Sequence, residues 1–318
     1  MSTRKSPRKG SLQFWPRKRA DKFLPSVNWS AIPEKNDSKG LKGFLCYKAG
    51  MVSLSVKDNT PDSMTKGKNI AIPGTVVECP PMKIFSVRFY KHGIVVSEIW
   101  ADNLDKELKK KIKIPKKVSK KIEDIKQEDY DDLRVIVYSQ AKKTELKKTP
   151  DLLEIGLSGN TEEKRNFIKE NLNKEISVFD VLNKGQLVDF RGLTKGQGLS
   201  GPVKRFGIKL KQHKSEKGRR RPGSIGPWHP SRVTFRTPMA GQLGMFTRVL
   251  YNNKIIEIFK SAEKPLKNIK NFGDVKTDYL IVHGSVQGPA KRQLVITKAL
   301  RETKDQSKKQ YNLLEVIR

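Results

Sequence analysis

The sequence predicts a mainly β protein with an α/β insert and two extended basic arms. Short alternating apolar runs separated by Gly and Pro indicate strands, and a stretch with helical spacing interrupts them. Two further segments combine dense positive charge with few aliphatic residues. The 318 residues suffice for one large domain or two ordinary ones. We therefore expect a folded core that carries arms.

The charge of the chain favours a polyanionic partner. Lys and Arg number 66 against 33 Asp and Glu, which gives a net charge of +33 and a pI near 10.1. The phosphate backbone of a nucleic acid is the common partner for so many cations. Hydrophobic residues make up only 36%, as expected if part of the chain lies extended along that partner.

The first arm covers residues 1–42. Between residues 4 and 22, eight basic residues accompany one acid, and Phe14, Trp15 and Phe23 lie in or beside this segment. Aromatic rings among cations suit base stacking combined with phosphate contact. They equally suit a tail that its rings attach to the protein surface, so both interpretations stay open at this point.

A β domain in two parts, residues 43–101 and 185–318, surrounds the predicted insert at 102–184. Alternating runs bounded by Gly or Pro predict a small antiparallel barrel or sandwich. The predicted strands cover residues 44–47, 75–78, 83–88, 94–98, 186–190, 254–259, 279–282 and 293–297.

Helical spacing marks the start of the insert. Apolar residues recur there every three or four positions, at Leu104, Leu108, Ile112, Val118, Ile122 and Ile125. The lysines between them predict a solvated face, with RNA contact as the alternative. A strand at 133–138, a helix at 161–172 with Thr161 as candidate N-cap, and a short helix at 178–182 complete the insert.

The sequence offers little catalytic chemistry. Cys46 and Cys79 have neither disulfide-framework nor zinc-site spacing and indicate ordinary buried thiols. The four histidines have no Cys, Asp or Glu at metal-ligand spacing, and no nucleophile elbow or acid pair is present. No apolar run is long enough to span a membrane. We therefore predict no enzyme activity, no metal, no cofactor, no small-molecule substrate and no membrane partner, in a protein of the cytosol.

Gly196, Gly198 and Gly201 form a G-x-G-x-x-G pattern after a predicted strand, which is typical of a dinucleotide loop. Pro202 and the residues after it do not predict an amphipathic helix, and no carboxylate follows about 20 residues on. A glycine-rich turn that lets the backbone approach RNA phosphate is the favoured interpretation. A purely structural bend is the alternative.

The central arm, residues 196–240, lies within the most basic part of the chain. From Arg191 to Arg236, thirteen Lys and Arg residues face one acid, Glu216. So few apolar residues cannot offset the entropy of ordering the segment, and a partner must order it. At the tip, Gly and Pro turns display Trp228 and His229, whose rings suit stacking on nucleotides. Packing on its own domain or on another protein is the alternative for Trp228.

Five stretches also carry a resemblance, and they occur in family order over almost the whole chain: GFLCYKAGM (43–51), VDFRGLTKGQGLSGPVKR (188–205), GPWHP (226–230), MAGQLG (239–244) and HGSVQGPAKR (283–292). They resemble the L-three family of universal large-subunit ribosomal proteins. The pair Trp228 and His229 is similar to the archaeal and eukaryotic branch, and the lack of a long C-terminal extension favours an archaeal source. The residues after Met51 depart from the family pattern, as does Glu216 inside the arm.

The resemblance implies a six-stranded translation-protein-type barrel with an inserted α/β domain. It implies direct binding near the 3′ region of the large-subunit RNA early in assembly, within the cytoplasmic ribosome. It further implies that the central arm runs towards the peptidyl transferase centre with the tryptophan at its tip. The L-fourteen and L-twenty-four-e protein families are the implied neighbours.

The predicted RNA-binding residues combine the basic residues of both arms with the ring pair at the tip and a late basic pair. They are Arg4, Lys5, Arg8, Lys9, Arg17, Lys18, Arg19, Lys195, Lys204, Arg205, Lys209, Lys211, Lys214, Lys217, Arg219, Arg220, Arg221, Trp228, His229, Arg232, Arg236, Lys291 and Arg292.

Two other classes of protein would also explain part of the sequence. A nucleoid or general DNA-binding protein accounts for the charge, but the chain offers no recognition helix for a major groove. An RNA-modifying enzyme accounts for arms and an α/β insert, but it requires a cofactor loop or a nucleophile.

Overall fold

The structure, a computed structural model, describes residues 7–32, 40–115, 122–125 and 129–317. Three residues named above, Arg4, Lys5 and Val118, lie outside these ranges. The chain divides into two compact units. We call Leu24–Gly192 with Val249–Arg318 the strand-rich unit, and Met1–Phe23 with Leu193–Arg248 the basic unit.

Strands dominate the described residues, which confirms the mainly β fold class. They are β1 (Gly40–Leu41), β2 (Gly43–Asp58), β3 (Asn69–Glu78), β4 (Met82–Lys91), β5 (Ile94–Trp100), β6 (Asp132–Ser139), β7 (Leu152–Ser158), β8 (Leu187–Leu193), β9 (Leu199–Ser200), β10 (Gly241–Gln242), β11 (Thr247–Phe259), β12 (Tyr279–His283), β13 (Gln293–Lys298) and β14 (Tyr311–Ile317). The α-helices are α1 (Thr161–Asn171), α2 (Pro202–Phe206) and α3 (Lys304–Lys308). Short 3-10 helices cover Trp29–Ala31, Lys106–Lys110, Ile122–Asp124, Ala141–Thr144 and Val178–Asp180.

Six strands of the larger sheet are paired in a closed order. Strands β2, β3, β12, β11, β8 and β13 are neighbours in that sequence, and β13 pairs back onto β2. Strand β14 pairs with the far half of β2. Runs of consecutive residues in these strands are buried, with Phe44, Phe190 and Leu294 fully enclosed. This apolar core holds β8 and β11, from which the central arm leaves and to which it returns.

A second sheet has five strands in the order β1, β7, β6, β4, β5. Residues 82–100, which were assigned to the first part of the β domain, therefore pair with residues 132–158, which were assigned to the insert. The domain boundary at 101 stays a proposal. Helix α1 is capped one residue earlier than expected, because Asn160 rather than Thr161 is the N-cap and its backbone N–H donates to the Glu163 carboxylate at 3.2 Å.

The helix expected from the spacing of residues 104–125 was wrong where the structure describes it. Only short 3-10 turns form, at Lys106–Lys110 and Ile122–Asp124. Lysines at positions 106, 109, 110 and 113 place like charges three and four residues apart, which disfavours a regular helix. The apolar residues are instead held by tertiary packing, since Leu108 is buried in one cluster with Phe85 and Tyr138.

Seven of the eight strands expected in the β domain lie within observed strands, and the eighth, 186–190, overlaps β8 from Leu187 onward. The strand expected at 133–138 lies within β6, while β1, β7, β9, β10 and β14 were not expected. The short helix expected at 178–182 is the 3-10 helix Val178–Asp180, with Ser177 accepting a hydrogen bond from the backbone of Phe179. Cys46 and Cys79 are free and buried, as expected. Burial raises the pKa of the Cys79 thiol, which keeps it in the unreactive protonated form.

Candidate nucleic-acid interface

The central arm is closed at its base by a short ladder inside the basic unit. Strands β9 and β10 pair with Ser200 opposite Gly241, and the backbone of Gln197 donates to Leu243 at 2.9 Å. Gly244 completes the closure at a φ of +78°, where a Cβ atom would lie 2.0 Å from the carbonyl oxygen of Lys195. Only glycine fits this approach, so the ladder depends on a residue without a side chain.

The glycine-rich stretch does lead into a helix, contrary to the expectation for Pro202. Helix α2 covers Pro202–Phe206, with Gly201 as N-cap and proline in its first turn. It ends after one turn because Gly207 adopts a left-handed conformation, with a φ of +65°. The turn is too short to present the long helix of a dinucleotide fold. Its buried residue, Phe206, is the packing point for the N-terminal arm.

Trp15 joins the two arms into one unit. Its ring stacks on Phe206 with centroids 5.9 Å apart, and it meets the edge of Phe235 at 5.6 Å. The indole N–H donates to the backbone oxygen of Ser11 at 2.8 Å. Of the two interpretations of the N-terminal aromatics, internal attachment therefore fits Trp15, whereas Phe14 is 72% exposed and remains open to an external partner.

Arg17 and Arg205 stabilise this aromatic cluster through cation–π contacts and hydrogen bonds to each other's backbone. The Arg17 guanidinium lies 4.3 Å from the centre of the Phe206 ring and donates to the backbone oxygen of Arg205 at 2.8 Å. Arg205 donates in return to the backbone oxygen of Arg17 at 3.3 Å, and to Met239 at 3.0 Å. Desolvation and the charges of neighbouring arginines lower the pKa of Arg17, and desolvation lowers that of Arg205. Both guanidiniums remain charged, so the cluster concentrates positive charge.

Beyond this cluster the arm is almost wholly exposed. From residue 207 to residue 236, only Ile208, Ser215 and Pro222 are even partly covered. Hydrogen bonds are sparse there: the Lys211 backbone N–H donates to the backbone oxygen of Arg219 at 3.1 Å, and the Arg219 guanidinium donates to the backbone oxygen of Lys211 at 3.3 Å. The segment therefore carries exposed cations and has no core of its own, an arrangement that suits contact with phosphates.

Trp228 lies at the tip of the central arm. It is 87% exposed, and the tip residues around it line a cavity of about 360 Å³. Pro227, Pro230 and Val233 supply apolar walls, and Arg232 supplies a cation. A flat, open ring beside a cation can stack on a base while the cation meets a phosphate.

Most of the predicted RNA-binding residues that the structure describes lie in the basic unit, and two lie in the strand-rich unit. Those that lie in the basic unit are Arg8, Lys9, Arg17, Lys18, Arg19, Lys195, Lys204, Arg205, Lys209, Lys211, Lys214, Lys217, Arg219, Arg220, Arg221, Trp228, His229, Arg232 and Arg236. Lys291 and Arg292 belong to the strand-rich unit. Lys48 positions their loop by donating to the backbone oxygens of Val286 at 2.5 Å and Gly288 at 3.0 Å.

Sequence reasoning missed the packing partners of the N-terminal arm. Phe206 and Phe235 were not singled out, and they lie 191 and 220 residues from Trp15 in the chain. The only feature of the sequence that could have indicated these two residues is that bulky rings recur in segments otherwise poor in apolar residues. Arg8 makes a similar connection, since it donates to the backbone oxygen of Arg236 at 3.1 Å.

Within the described part of the chain, no group of three or more His, Cys, Asp or Glu side chains is arranged to hold a metal ion. None of the helices described is long and apolar enough to cross a membrane. His92 lies at a turn and faces Asp131 at 3.7 Å. Burial lowers the pKa of His283, whose ring lies 5.8 Å from that of Tyr311.

Comparison with known proteins gives matches over almost the whole chain. Residues 1–316 match the family model of ribosomal protein L3. The chain is 41% identical over 310 residues to the large ribosomal subunit protein uL3 of Methanocaldococcus jannaschii, covering 93% of this chain and 91% of the relative. It is 38% identical over 310 residues to the protein of the same name from Archaeoglobus fulgidus, covering 94% and 93%.

Proposed function

Because the chain belongs to the ribosomal protein L3 family of the large ribosomal subunit, we propose that its basic unit binds the large-subunit RNA directly. The exposed cations of residues 207–236 carry this proposal, since they lie on a segment with almost no buried side chain. Phosphate groups along an RNA strand match that distribution of charge. Membership in a family of structural ribosomal proteins implies a role without catalysis, in the cytoplasmic ribosome.

The family resemblance supports a more detailed proposal. The protein binds near the 3′ region of the RNA and nucleates subunit assembly, with the L-fourteen and L-twenty-four-e families as neighbours. The closed order of six strands supports a translation-protein-type barrel, into which the α/β domain is inserted. In this proposal the central arm, which follows β8 and precedes β11 in the chain, extends towards the peptidyl transferase centre.

Salt dependence of binding tests the electrostatic part of the proposal. The purified protein is titrated with a transcript of the 3′ region of an archaeal large-subunit RNA over a range of KCl concentrations. Each phosphate contact contributes a log–log slope of about −0.7 to −0.9, so ten contacts weaken binding by several orders of magnitude between low and moderately high salt. A slope of about −2 or shallower would contradict RNA binding by the arms and indicate docking to proteins.

The tip is proposed to act on function more than on assembly. Trp228→Ala removes one stacking contact of roughly 1–3 kcal/mol, which is small beside the summed phosphate contacts. We expect subunits that contain this variant to assemble, with altered rates of peptidyl transfer or of aminoacyl-tRNA accommodation. Replacing Arg219, Arg220 and Arg221 together by Gln should instead impair incorporation. Wild-type kinetics and unchanged chemical probing of the RNA with Trp228→Ala would show a passive tip.

A further inference from the structure

Two lysine-rich segments meet on the strand-rich unit, away from both arms in sequence. The 3-10 helix Lys106–Lys110 and the chain from Ala141 to Lys148 line one cavity of about 600 Å³. Its cationic lining consists of Lys106, Lys110, Lys142, Lys147 and Lys148, and we call it the lysine cavity. Buried Leu108 anchors the first segment, and half-buried Leu146 anchors the second. The concave arrangement is therefore fixed by packing, although its charged groups are mobile side chains.

The lysine cavity carries more positive charge than its acids can neutralise. Glu107 pairs with Lys142 at 3.1 Å, and Lys147 pairs with Asp151 outside the lining. The other lining acid, Glu145, faces Lys276 at 3.6 Å. Among the residues that the structure describes, no carboxylate forms an ion pair with the three remaining lysines, Lys106, Lys110 and Lys148.

Two arginines on the same unit, by contrast, are matched by carboxylates. On the five-stranded sheet, Arg88 lies between Glu98 at 2.9 Å and Glu154 at 2.8 Å. Arg134 beside it reaches Asp132 at 3.2 Å and Glu154 at 3.3 Å. Desolvation alone would lower the pKa of both arginines, but the hydrogen bonds that they donate to these carboxylates raise it. The lysine cavity differs from this sheet because three of its lysines have no such partner among the described residues and line one concavity, where like charges repel each other and favour a bound anion.

We propose that the lysine cavity is a second RNA contact, which holds phosphodiester groups of the ribosomal RNA. This inference rests on the proposed function, because RNA is the polyanion that the basic unit is proposed to bind. Ammonium groups on flexible stems meet phosphates as point charges, without the planar fork that reads a base edge. The contact is therefore independent of base sequence and adds to affinity and placement rather than to recognition.

The test compares two triple variants with the same change in charge. Lys106→Gln, Lys110→Gln and Lys148→Gln remove the unpaired cations of the cavity. The matched control replaces three exposed lysines of the same unit, Lys57, Lys66 and Lys68, by Gln. Thermal melting verifies that both variants fold. With the 3′-region transcript, we expect the cavity variant to reduce the log–log salt slope by roughly 2 to 3, at about 0.7–0.9 per contact, and the control to leave it unchanged.

Lysine acetylation of the wild-type complex, read by mass spectrometry, gives an independent measurement. RNA should protect Lys106, Lys110 and Lys148 several-fold, and inorganic phosphate at the same phosphate concentration should not. Equal slopes for the two variants, or full reactivity of these lysines in the RNA complex, would overturn the second contact. So would protection by inorganic phosphate alone, since it would identify a site for free anions.

Failure of the proposed function is distinguishable from failure of this inference. If the wild-type protein shows a shallow slope and no preference for large-subunit RNA, the proposed function fails and the lysine cavity loses its ligand with it. If the wild-type slope is steep but the cavity variant behaves like the control, RNA binding by the basic unit stands and only the second contact is refuted.

Discussion

At the scale of single residues, two tryptophans of the basic unit have opposite roles. Trp15 is enclosed by Phe206, Phe235 and Arg17, whereas Trp228 is 87% exposed. The first ring stabilises the unit through contacts within the chain, and the second is available to an external partner. Composition alone cannot separate them, because both lie in basic segments rich in Gly, Pro and charge.

Trp15→Ala should loosen the basic unit in the absence of RNA. Each aromatic pair contributes about 0.5–1.5 kcal/mol beyond buried area, and Trp15 makes two. We expect a loss of about 1–3 kcal/mol in the protection of backbone amides of Leu193–Arg248 from hydrogen exchange. Trp228→Ala is the matched control and should leave this protection unchanged. Equal protection in the two variants would contradict the role assigned to Trp15.

At the scale of elements, the base of the central arm depends on one backbone position. Gly244→Ala introduces a Cβ atom that would lie 2.0 Å from the carbonyl oxygen of Lys195, at a φ of +78°. Strain of this kind costs about 1–3 kcal/mol, so the ladder between β9 and β10 should open and its amides exchange faster. Gly223→Ala is the control, because no atom lies within 4 Å of its added Cβ. Normal exchange in Gly244→Ala would show that the arm is held elsewhere.

Local pattern predicted the strands well and the lysine-rich segment poorly. In the second half of β2, burial alternates because one face is covered and the other is not, whereas residues 43–47 are all buried. Around Leu108 the helical spacing was misleading, since repulsion between lysines and packing against Phe85 and Tyr138 outweigh it. β14 escaped prediction because its apolar residues are mostly exposed or partly covered at a sheet edge, where alternation is weak.

At the scale of the whole molecule, the charge predicted the partner class but not the organisation of the arms. The sequence indicated two separate arms, a central one ordered by a partner and an N-terminal one whose rings contact either RNA or the protein surface. The structure places residues 7–23 and 193–248 in one compact unit. The contacts responsible connect residues about 190 to 230 positions apart, such as Arg17 with Arg205 and Arg8 with Arg236. Pairing over such distances depends on tertiary geometry, which local composition does not encode.

The packing of the two arms into one unit affects the entropy cost of binding. An arm that is already held at its base by the ladder at Gly244 and by the Trp15 cluster loses less conformational entropy on meeting RNA than a free chain would. The exposed part, residues 207–236, has almost no buried side chain to restrict how it meets a partner. Preorganisation at the base and adaptability at the tip together suit an element that enters a folded RNA during assembly.

Cross-linking of purified large subunits, with the attached peptides identified by mass spectrometry, tests whether the basic unit is the RNA-binding surface. We expect cross-links to RNA to concentrate within residues 7–23 and 193–248, with one at Trp228 or its immediate neighbours. Neutralising Arg219, Arg220 and Arg221 should reduce those at the tip. Cross-links confined to the strand-rich unit, with none between residues 204 and 236, would contradict the claim that the basic unit is the RNA-binding surface.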